Sequence, residues 1–220
     1  MKTLYEILFP CITAYPAIII SVSLCIILPY LLGSVNFALV ISKLIFKDDI
    51  RNYGSGNAGM TNMLRTYGKA AAAATLLCDL LKAVVAVLFG LFVLEYIGAY
   101  IAGFFCVLGH IFPVFFKFKG GKGVVTTAAM VLTLNPLVFL ILFTFFIIVV
   151  AVTKYVSLGS VLCMLLYPLF TYYFGGSGIP TLFSFAVAAT VIFMHRSNIK
   201  RLLSGTENKI SFSKKSKDKK

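Results

Sequence analysis

Three short polar segments combine glycines with cationic and hydroxyl side chains, in a chain that is otherwise mostly apolar. They cover residues 53–65, 117–123 and 195–207. Glycines let successive backbone amides turn toward one anion, and lysine and arginine supply the positive charge that binds phosphate. We therefore expect the three segments to converge on one site that binds phosphate groups.

The first segment contains Gly-Ser-Gly-Asn-Ala-Gly, from Gly54 to Gly59. This spacing also occurs in dinucleotide sites, but those need a strand before it, and here an apolar helix of membrane-spanning length precedes it. The remaining interpretation is an anion-binding site. The alternative is a loop whose glycines only turn the chain and cap a helix. The candidate binding residues of this segment are Gly54, Ser55, Gly56, Asn57, Thr61, Asn62 and Arg65.

The second segment follows Gly109-His110 and ends in Gly-Gly-Lys-Gly. It is not a Walker A loop, because glycine instead of serine or threonine follows Lys122. It opens a predicted helix whose N-terminal amides favour anions, and Lys122 supplies the charge. For His110, a structural and a catalytic role are equally open. The candidate binding residues of this segment are His110, Gly120, Gly121, Lys122 and Gly123.

The third segment places His195 and Asn198 three residues apart, so that one helical turn puts them on one face. We expect Asn198 to hold a substrate hydroxyl. Glu207 is an acidic residue among many bases, and both substrate binding and a pairing with Arg201 are open. Ser157, at the predicted start of another helix, either reaches the same site or caps that helix.

The elements that position these segments are membrane helices. The 220 residues are 60% hydrophobic and 12% charged, which is too apolar for a soluble domain, and the apolar runs do not alternate as in a β-barrel. We predict an all-α integral membrane protein with about seven transmembrane helices. They cover residues 16–40, 70–94, 98–112, 122–136, 137–152, 156–174 and 181–194. The fourth is short or broken, because the apolar run 124–134 at about 1.5 Å per residue cannot cross a core of about 30 Å.

Positive charge predicts the sidedness. Loops at 47–69, 117–122, 154 and from 196 onward carry lysine or arginine, whereas those near 95, 135 and 178 carry none. The positive-inside rule then puts the N-terminus outside and the three polar segments, with the C-terminus, on the cytoplasmic side. We predict one polytopic domain at 1–205 and a basic cytoplasmic tail at 206–220 that is attracted to anionic lipid. No folded module accompanies the tail, so nucleic acid is not expected as a partner.

Two charges, Asp79 and Lys82, lie three residues apart inside a predicted span. Charges there are costly, so we expect a structural ion pair that faces inward. Such a pair and a broken helix would also suit a transporter or channel for an organic phosphate, which is the competing function. Against it, the polar residues cluster at one membrane face, and no internal repeat is found. The five cysteines are scattered, which predicts neither a disulfide framework nor a metal site.

The chain resembles the bacterial membrane acyl-phosphate:glycerol-3-phosphate acyltransferase family over nearly its whole length. Three motifs carry the resemblance: Gly-Ser-Gly-Asn-Ala-Gly-Met-Thr-Asn-x-x-Arg at 54–65, Gly-His-x-x-Pro with Phe-Lys-Gly-Gly-Lys-Gly within 109–123, and His-Arg-x-Asn-Ile at 195–199 with Gly-Thr-Glu at 205–207. Met60 is a departure, since the family usually has alanine there, and its side chain would narrow the pocket or touch the acyl chain.

The resemblance implies transfer of a fatty acyl group from acyl phosphate to the 1-hydroxyl of sn-glycerol 3-phosphate. The products are lysophosphatidic acid and phosphate, in the first step of phospholipid synthesis at the bacterial inner membrane. It implies no cofactor and no metal, and as partners both substrates, membrane lipid and the enzyme that forms acyl phosphate. The residues implied as catalytic are Ser55, Arg65, Lys122, His195 and Asn198, with Ser157 beside them. The implied acyl-phosphate loop is Gly120–Gly123.

Overall fold

The computed structural model describes residues 14–210, which are helical apart from the turns that connect the helices. The helices are α1 (Ala14–Ser34), α2 (Phe37–Leu44), α3 (Met60–Tyr67), α4 (Lys69–Ile111), α5 (Val124–Leu134), α6 (Pro136–Thr153), α7 (Val156–Phe174), α8 (Ile179–Met194) and α9 (Arg196–Leu203). The prediction of an all-α membrane protein is confirmed. The predicted outer N-terminus and the charge run of the tail after residue 210 lie outside the described residues.

Four helical stretches are long and apolar enough to cross a membrane, namely Pro16–Leu44, Lys69–Phe116, Pro136–Thr153 and Val156–Phe174. A fifth is added if α8 and α9, which are bent by 59° relative to each other, form one span. The number of seven crossings and the sidedness of the chain stay predictions.

The helix α4 reverses direction and consists of two arms, residues 69–93 and 96–111. Its backbone leaves the helical region at Leu94 and at Glu95, where φ is +51°. A Cβ atom on Gly90 would overlap the carbonyl oxygen of Gly98. Residues eight apart in one straight helix would lie about 12 Å apart along its axis, so this contact requires the arms to pack antiparallel. The two arms correspond to the two helices predicted at 70–94 and 98–112.

The predicted short helix near 122–136 is confirmed as α5, which has 11 residues. Asn135 ends α5 and begins α6, because its Oδ1 accepts a hydrogen bond from Val138 N at 3.1 Å and Pro136 follows it at the first helical position. The Nδ2 atom of Asn135 donates to Phe174 O at 3.0 Å. The C-terminal ends of α5 and α7 are therefore hydrogen-bonded to each other. Lys122 lies just before the opposite, N-terminal end of α5.

The first predicted helix divides at residues 35–36 into α1 and α2. Asn36 caps α2 by accepting from Leu39 N at 3.1 Å, and its Nδ2 donates to Ala58 O at 3.2 Å. Lys82 Nζ donates to the carbonyl oxygens of Gly33 at 3.0 Å and Val35 at 2.7 Å. Side chains thus satisfy the polar backbone groups at the break between α1 and α2. The hydrogen bond from Asn36 to Ala58 O also positions the first polar segment.

Candidate active site

The first polar segment forms a tight loop before α3, and Asn62 holds it in place. Asn62 Nδ2 donates to three backbone carbonyls of the segment 50–57 at 3.0, 3.1 and 3.2 Å, and Oδ1 accepts from Ser55 N at 2.9 Å. Asn62 is 1% exposed, so the loop itself uses its amide. Gly54 is required because its φ is +53° and a Cβ there would overlap Asn62 Oδ1.

The second polar segment packs against the end of α4 through its glycines. The amides of Gly120 and Gly121 donate to backbone carbonyls of the last two residues of α4, each at 3.1 Å. A Cβ on Gly121 would overlap Nε2 of His110, so only glycine lets the loop lie on this ring. The two amides therefore dock the loop instead of facing an anion, whereas Lys122 and Gly123 line the cavity described below.

The carboxylate of Glu207 is the centre of a network in the third polar segment. Its Oε1 accepts from Ser157 Oγ and from Asn198 Nδ2, both at 2.7 Å, and its Oε2 accepts from Arg201 Nε at 2.7 Å. Lys122 Nζ donates to Asn198 Oδ1. The pairing of Glu207 with Arg201 is confirmed. Because protein donors engage both carboxylate oxygens, Glu207 orients the side chains around it.

The three segments line one cavity of about 560 Å³. The predicted residues in its lining are Ser55, Asn57, Thr61, Asn62, Arg65, His110, Lys122, Gly123, Ser157, His195, Asn198 and Glu207. Their predicted convergence is therefore confirmed. Of the other predicted residues, Gly54, Gly56, Gly120 and Gly121 shape the loops behind the lining. The rest of the wall is largely apolar and comes mainly from α5, α6 and α7. One cavity thus joins a cationic polar end to a longer apolar region.

Sequence reasoning did not assign two charged lining residues, Arg201 and Asp79, to the site. Arg201 was considered only as a partner of Glu207, although it lies three residues after Asn198 and hence on the same face of α9. Met60, the departure from the family motif, also lines the cavity, which agrees with its predicted effect on the pocket. Asp79 reaches the lining from α4.

The predicted ion pair is present as part of a buried triad. Lys82 Nζ lies 2.7 Å from Asp79 Oδ1, and His110 Nδ1 lies 3.2 Å from Lys82 Nζ and 3.6 Å from Asp79 Oδ1. Lys82 also bridges to the break between α1 and α2, and His110 carries the docked loop of the second segment. The triad therefore connects the break between α1 and α2, which positions the first polar segment, with the ring on which the second segment packs. This agrees with the predicted structural role of the ion pair.

Burial changes the pKa of the lysine in the site. It lowers the pKa of Lys122 to about 8, against the negative charge of Glu207, which raises it, and with the positive charges of Arg201 and Arg65, which lower it. Burial also raises the pKa of Glu207, but the hydrogen bonds from Asn198, Ser157 and Arg201 outweigh this effect. The pKa of this carboxyl therefore lies below its usual range. Near pH 7 the cations of Lys122, Arg65 and Arg201 therefore surround the carboxylate of Glu207 at the polar end.

His195 is held as a neutral base. Burial lowers the pKa of His195 to about 4, although its bond to Val191 raises it. The Nδ1 atom lies 2.8 Å from Val191 O, and because a carbonyl only accepts, Nδ1 carries the proton. Nε2 is then the ring atom that carries the lone pair, and the lowered pKa makes it a weak base that stays unprotonated at neutral pH.

Comparison with known proteins identifies the family. The family model for glycerol-3-phosphate acyltransferase matches residues 23–205. The chain belongs to the glycerol-3-phosphate acyltransferase family. The acyltransferase is 48% identical over 184 residues to the glycerol-3-phosphate acyltransferase of Thermoanaerobacter pseudethanolicus, with 84% of this chain and 93% of that protein covered. It is 45% identical over 192 residues to that of Clostridioides difficile, with 84% and 93% covered.

A solved structure supports the same assignment. The acyltransferase is similar to the crystal structure of PlsY (YgiH), an integral membrane glycerol 3-phosphate acyltransferase, in its glycerol 3-phosphate form. The TM-score is 0.82 at 36% identity, and the match covers 87% of this chain and 96% of that one. A lysophosphatidic acid form of PlsY matches with a TM-score of 0.79 and 34% identity, over the same shares of both chains. The predicted family is thus confirmed.

Proposed function

We propose that this glycerol-3-phosphate acyltransferase takes its acyl group from acyl phosphate and transfers it to the 1-hydroxyl of sn-glycerol 3-phosphate. The products are lysophosphatidic acid and inorganic phosphate. The observation that carries the proposal is the cavity, whose cationic end continues into an apolar region. Two phosphate groups match the three cations of the polar end, and the apolar walls match a fatty acyl chain.

The phosphates are held by the cations and the polar side chains beside them. Arg65 offers a planar, bidentate guanidinium, and Lys122 offers a charge that its partner Asn198 orients. The backbone amides at the start of α5 add positive potential, because the first turn of a helix leaves its N–H groups without partners within the helix. Ser55 contributes a hydroxyl from the first loop. Glu207 repels phosphate, and its role is to position Ser157 and Asn198.

The chemical step is direct attack of the glycerol 1-hydroxyl oxygen on the acyl carbonyl carbon. The new ester bond forms, the bond from that carbon to the phosphate oxygen breaks, and phosphate leaves with the electron pair. The proton of the hydroxyl goes to His195 Nε2 or to a phosphate oxygen of the substrate. Because acyl phosphate already has a good leaving group, orientation and charge stabilisation supply much of the rate.

The choice of acyl phosphate as the donor rests on a motif that the two histidines of the sequence do not form, as well as on the cations of the site. Acyltransferases of glycerolipid synthesis that use soluble acyl carriers often have a His-x4-Asp dyad, whereas Phe115 and Lys200 follow the two histidines at that spacing. Transfer at the cytoplasmic face of the bacterial inner membrane fits the positive charge of the loops that carry the site. Membrane lipid and the enzyme that forms acyl phosphate are the partners proposed with it.

The experiment is a reconstitution with purified protein, palmitoyl phosphate and glycerol 3-phosphate, in which lysophosphatidic acid is measured. Palmitoyl-CoA and palmitoyl-acyl carrier protein serve as alternative donors. Product from the thioesters but not from acyl phosphate would refute the donor assignment. Uptake of glycerol 3-phosphate into vesicles without acyl transfer would support the transporter instead.

Variants test the assigned residues in the same assay. Arg65→Ala and Lys122→Ala are each expected to lose at least about a hundredfold in kcat/KM, since each removes a charged contact to phosphate. If both retain activity, the site is misplaced. His195→Ala distinguishes the two proton acceptors: a loss of about a hundredfold or more in kcat assigns the imidazole, and near-normal turnover assigns the substrate phosphate.

A further inference from the structure

Arg51 lies just before the first polar segment and outside the cavity lining, yet it binds the second segment. It belongs to the 3-10 turn Ile50–Asn52. Its Nη1 atom donates to Phe116 O at 3.2 Å and to Lys119 O at 3.1 Å, 65 and 68 residues away along the chain. These two carbonyls flank residues 117–118, so one guanidinium holds both sides of the turn that leads to Lys122.

The direction of the Arg51 side chain is fixed by its neighbour Asp49. Nε of Arg51 donates to Asp49 Oδ1 at 2.9 Å, and Nη2 donates to Oδ2 at 2.6 Å. The hydrogen bond from Arg51 lowers the pKa of Asp49, so the carboxylate stays ionised at neutral pH. Because a guanidinium carries its donors in a rigid planar fork, this pairing leaves Nη1 aimed at the two carbonyls.

The turn that Arg51 holds has a strained backbone. Both Lys117 and Phe118 have φ of +57°, in the left-handed region. A Cβ atom makes this region unfavourable, and here two residues other than glycine adopt it in succession. Such a conformation persists only where the surrounding contacts enforce it. The bonds from Arg51 to the carbonyls on either side of the turn are contacts of this kind.

The position of Lys122 depends on this turn. Gly120 and Gly121, which dock on the end of α4, come directly after it, and Lys122 follows them. If residues 117–118 relax out of the left-handed region, the chain enters the docked loop from another direction. Lys122 would then lose its place in the cavity and its bond to Asn198.

On its other side, Arg51 is connected to the helix that carries Arg65. Ile50 O, in the same 3-10 turn, accepts a hydrogen bond from Asn62 Nδ2 at 3.2 Å. Asn62 and Arg65 both lie on α3. A series of contacts therefore runs from α3 through Arg51 to the segment of Lys122. Two cations on separate segments can bind two reacting phosphates only at a fixed spacing, and a misplacement of about 1 Å can cost about a hundredfold in rate.

We propose that Arg51 is a positioning residue for acyl transfer, which holds the strained turn at 117–118 and thereby sets the place of Lys122 relative to Arg65. Arg51 touches no substrate in this role. The inference rests on the proposed function, in which these two cations bind phosphate groups.

The test uses glycine to remove the strain that Arg51 holds. Arg51→Met removes the hydrogen bonds to the turn. Adding Lys117→Gly lets the turn keep its conformation without support, because glycine adopts positive φ freely. Adding Lys117→Met is the matched control, since it removes the same exposed charge but keeps the Cβ atom. Each protein is assayed with palmitoyl phosphate and glycerol 3-phosphate, and its Tm is measured in detergent.

We expect Arg51→Met to lower kcat/KM by about tenfold or more, because Lys122 is misplaced. Adding Lys117→Gly should recover about fivefold, the gain from relieving the strain at one of the two residues. Adding Lys117→Met should recover nothing. As single changes, Lys117→Gly and Lys117→Met should each leave kcat/KM within about twofold of the wild type, since Lys117 lies outside the cavity lining.

The pH profile supplies a readout that a loss of stability does not move. Burial lowers the pKa of Lys122 to about 8. A displaced Lys122 is better hydrated, so the alkaline midpoint of kcat/KM in Arg51→Met should move to higher pH and return when Lys117→Gly is added. The titratable and charged groups that act on Lys122 or lie beside it are those of Glu207, Arg201, Arg65 and His195. All of them stay in place in these variants.

Normal kcat/KM in Arg51→Met would overturn the inference. An unchanged alkaline midpoint, or no greater recovery with glycine than with methionine at position 117, would do the same. If Arg51→Met does not fold, Arg51→Lys is judged by these criteria, because one ammonium cannot replace the fork that joins Asp49 to two carbonyls.

The donor assay separates this inference from the proposed function. If the wild type makes lysophosphatidic acid only from a thioester, the assignment of acyl phosphate fails. The ratios between the variants, measured with that thioester, then still decide the role of Arg51. A wild type that is inactive with every donor overturns both.

Discussion

The catalytic efficiency with glycerol 3-phosphate is expected to fall as the pH rises through about 8. Burial lowers the pKa of Lys122 to about 8, so its ammonium is present below that pH and is lost above it. The protonated fraction of such a group is about 0.9 at pH 7 and about 0.1 at pH 9. If binding of phosphate needs this charge, kcat/KM drops about tenfold over these two pH units.

The two kinetic constants should report different midpoints. kcat/KM follows the free enzyme, whereas kcat follows the enzyme with substrate bound. A bound phosphate stabilises the charged form of Lys122, so its pKa is higher in the complex. We therefore expect the alkaline fall in kcat at a higher pH than in kcat/KM. His195, with a pKa of about 4, stays neutral over this range and adds no further step.

The assay measures formation of lysophosphatidic acid from pH 6 to about 9.5, with blanks for hydrolysis of acyl phosphate. Lys122→Arg is the control, because arginine stays protonated throughout this range. Its rate can differ from that of the wild type, but its kcat/KM should show no alkaline fall. An identical fall in Lys122→Arg would refute the assignment of the titrating group, and a flat profile in the wild type would refute its lowered pKa.

Three further outcomes follow from particular contacts. Glu207→Gln should shift the alkaline midpoint of kcat/KM to lower pH, since the charge of Glu207 raises the pKa of Lys122; an unchanged midpoint contradicts this. Lys82→Met should destabilise the fold by about 3–5 kcal/mol by leaving Asp79 buried and unpaired, and thermal unfolding should show partial recovery when Asp79→Asn is added. Gly121→Ala should cost about 1–3 kcal/mol and lower activity, because its Cβ overlaps an imidazole ring; normal Tm and activity would show that the loop is not docked there.

The sequence alone was sufficient for those features that depend on local pattern. An apolar run of 11 residues, stopped by Asn135 and Pro136, is too short to span a bilayer, and α5 has that length. Opposite charges three residues apart on a buried helix must pair, and Asp79 and Lys82 do. The glycine- and cation-bearing motifs indicated one site, and their residues line one cavity.

The sequence did not predict which atoms of these motifs face the cavity. Gly120 and Gly121 belong to the same motif as Lys122, yet their amides bind the end of α4. Asn62 was expected to bind substrate, but the loop engages its whole amide. The number of helices that cross the membrane is also not fixed by composition, since Glu95 is the one charged residue in the reversal that joins the two apolar arms of α4.

By itself, the sequence determined the membrane class, the family and the set of segments that form the site, because composition, spacing and motifs are properties of the chain in order. Only the tertiary structure decided that Glu207 joins Ser157 to Asn198, and that Lys122 reaches Asn198 from another segment. The physical reason is that these side chains take their direction from packing. Ser157 and Glu207, for example, are 50 residues apart, and no local pattern records a contact over that separation.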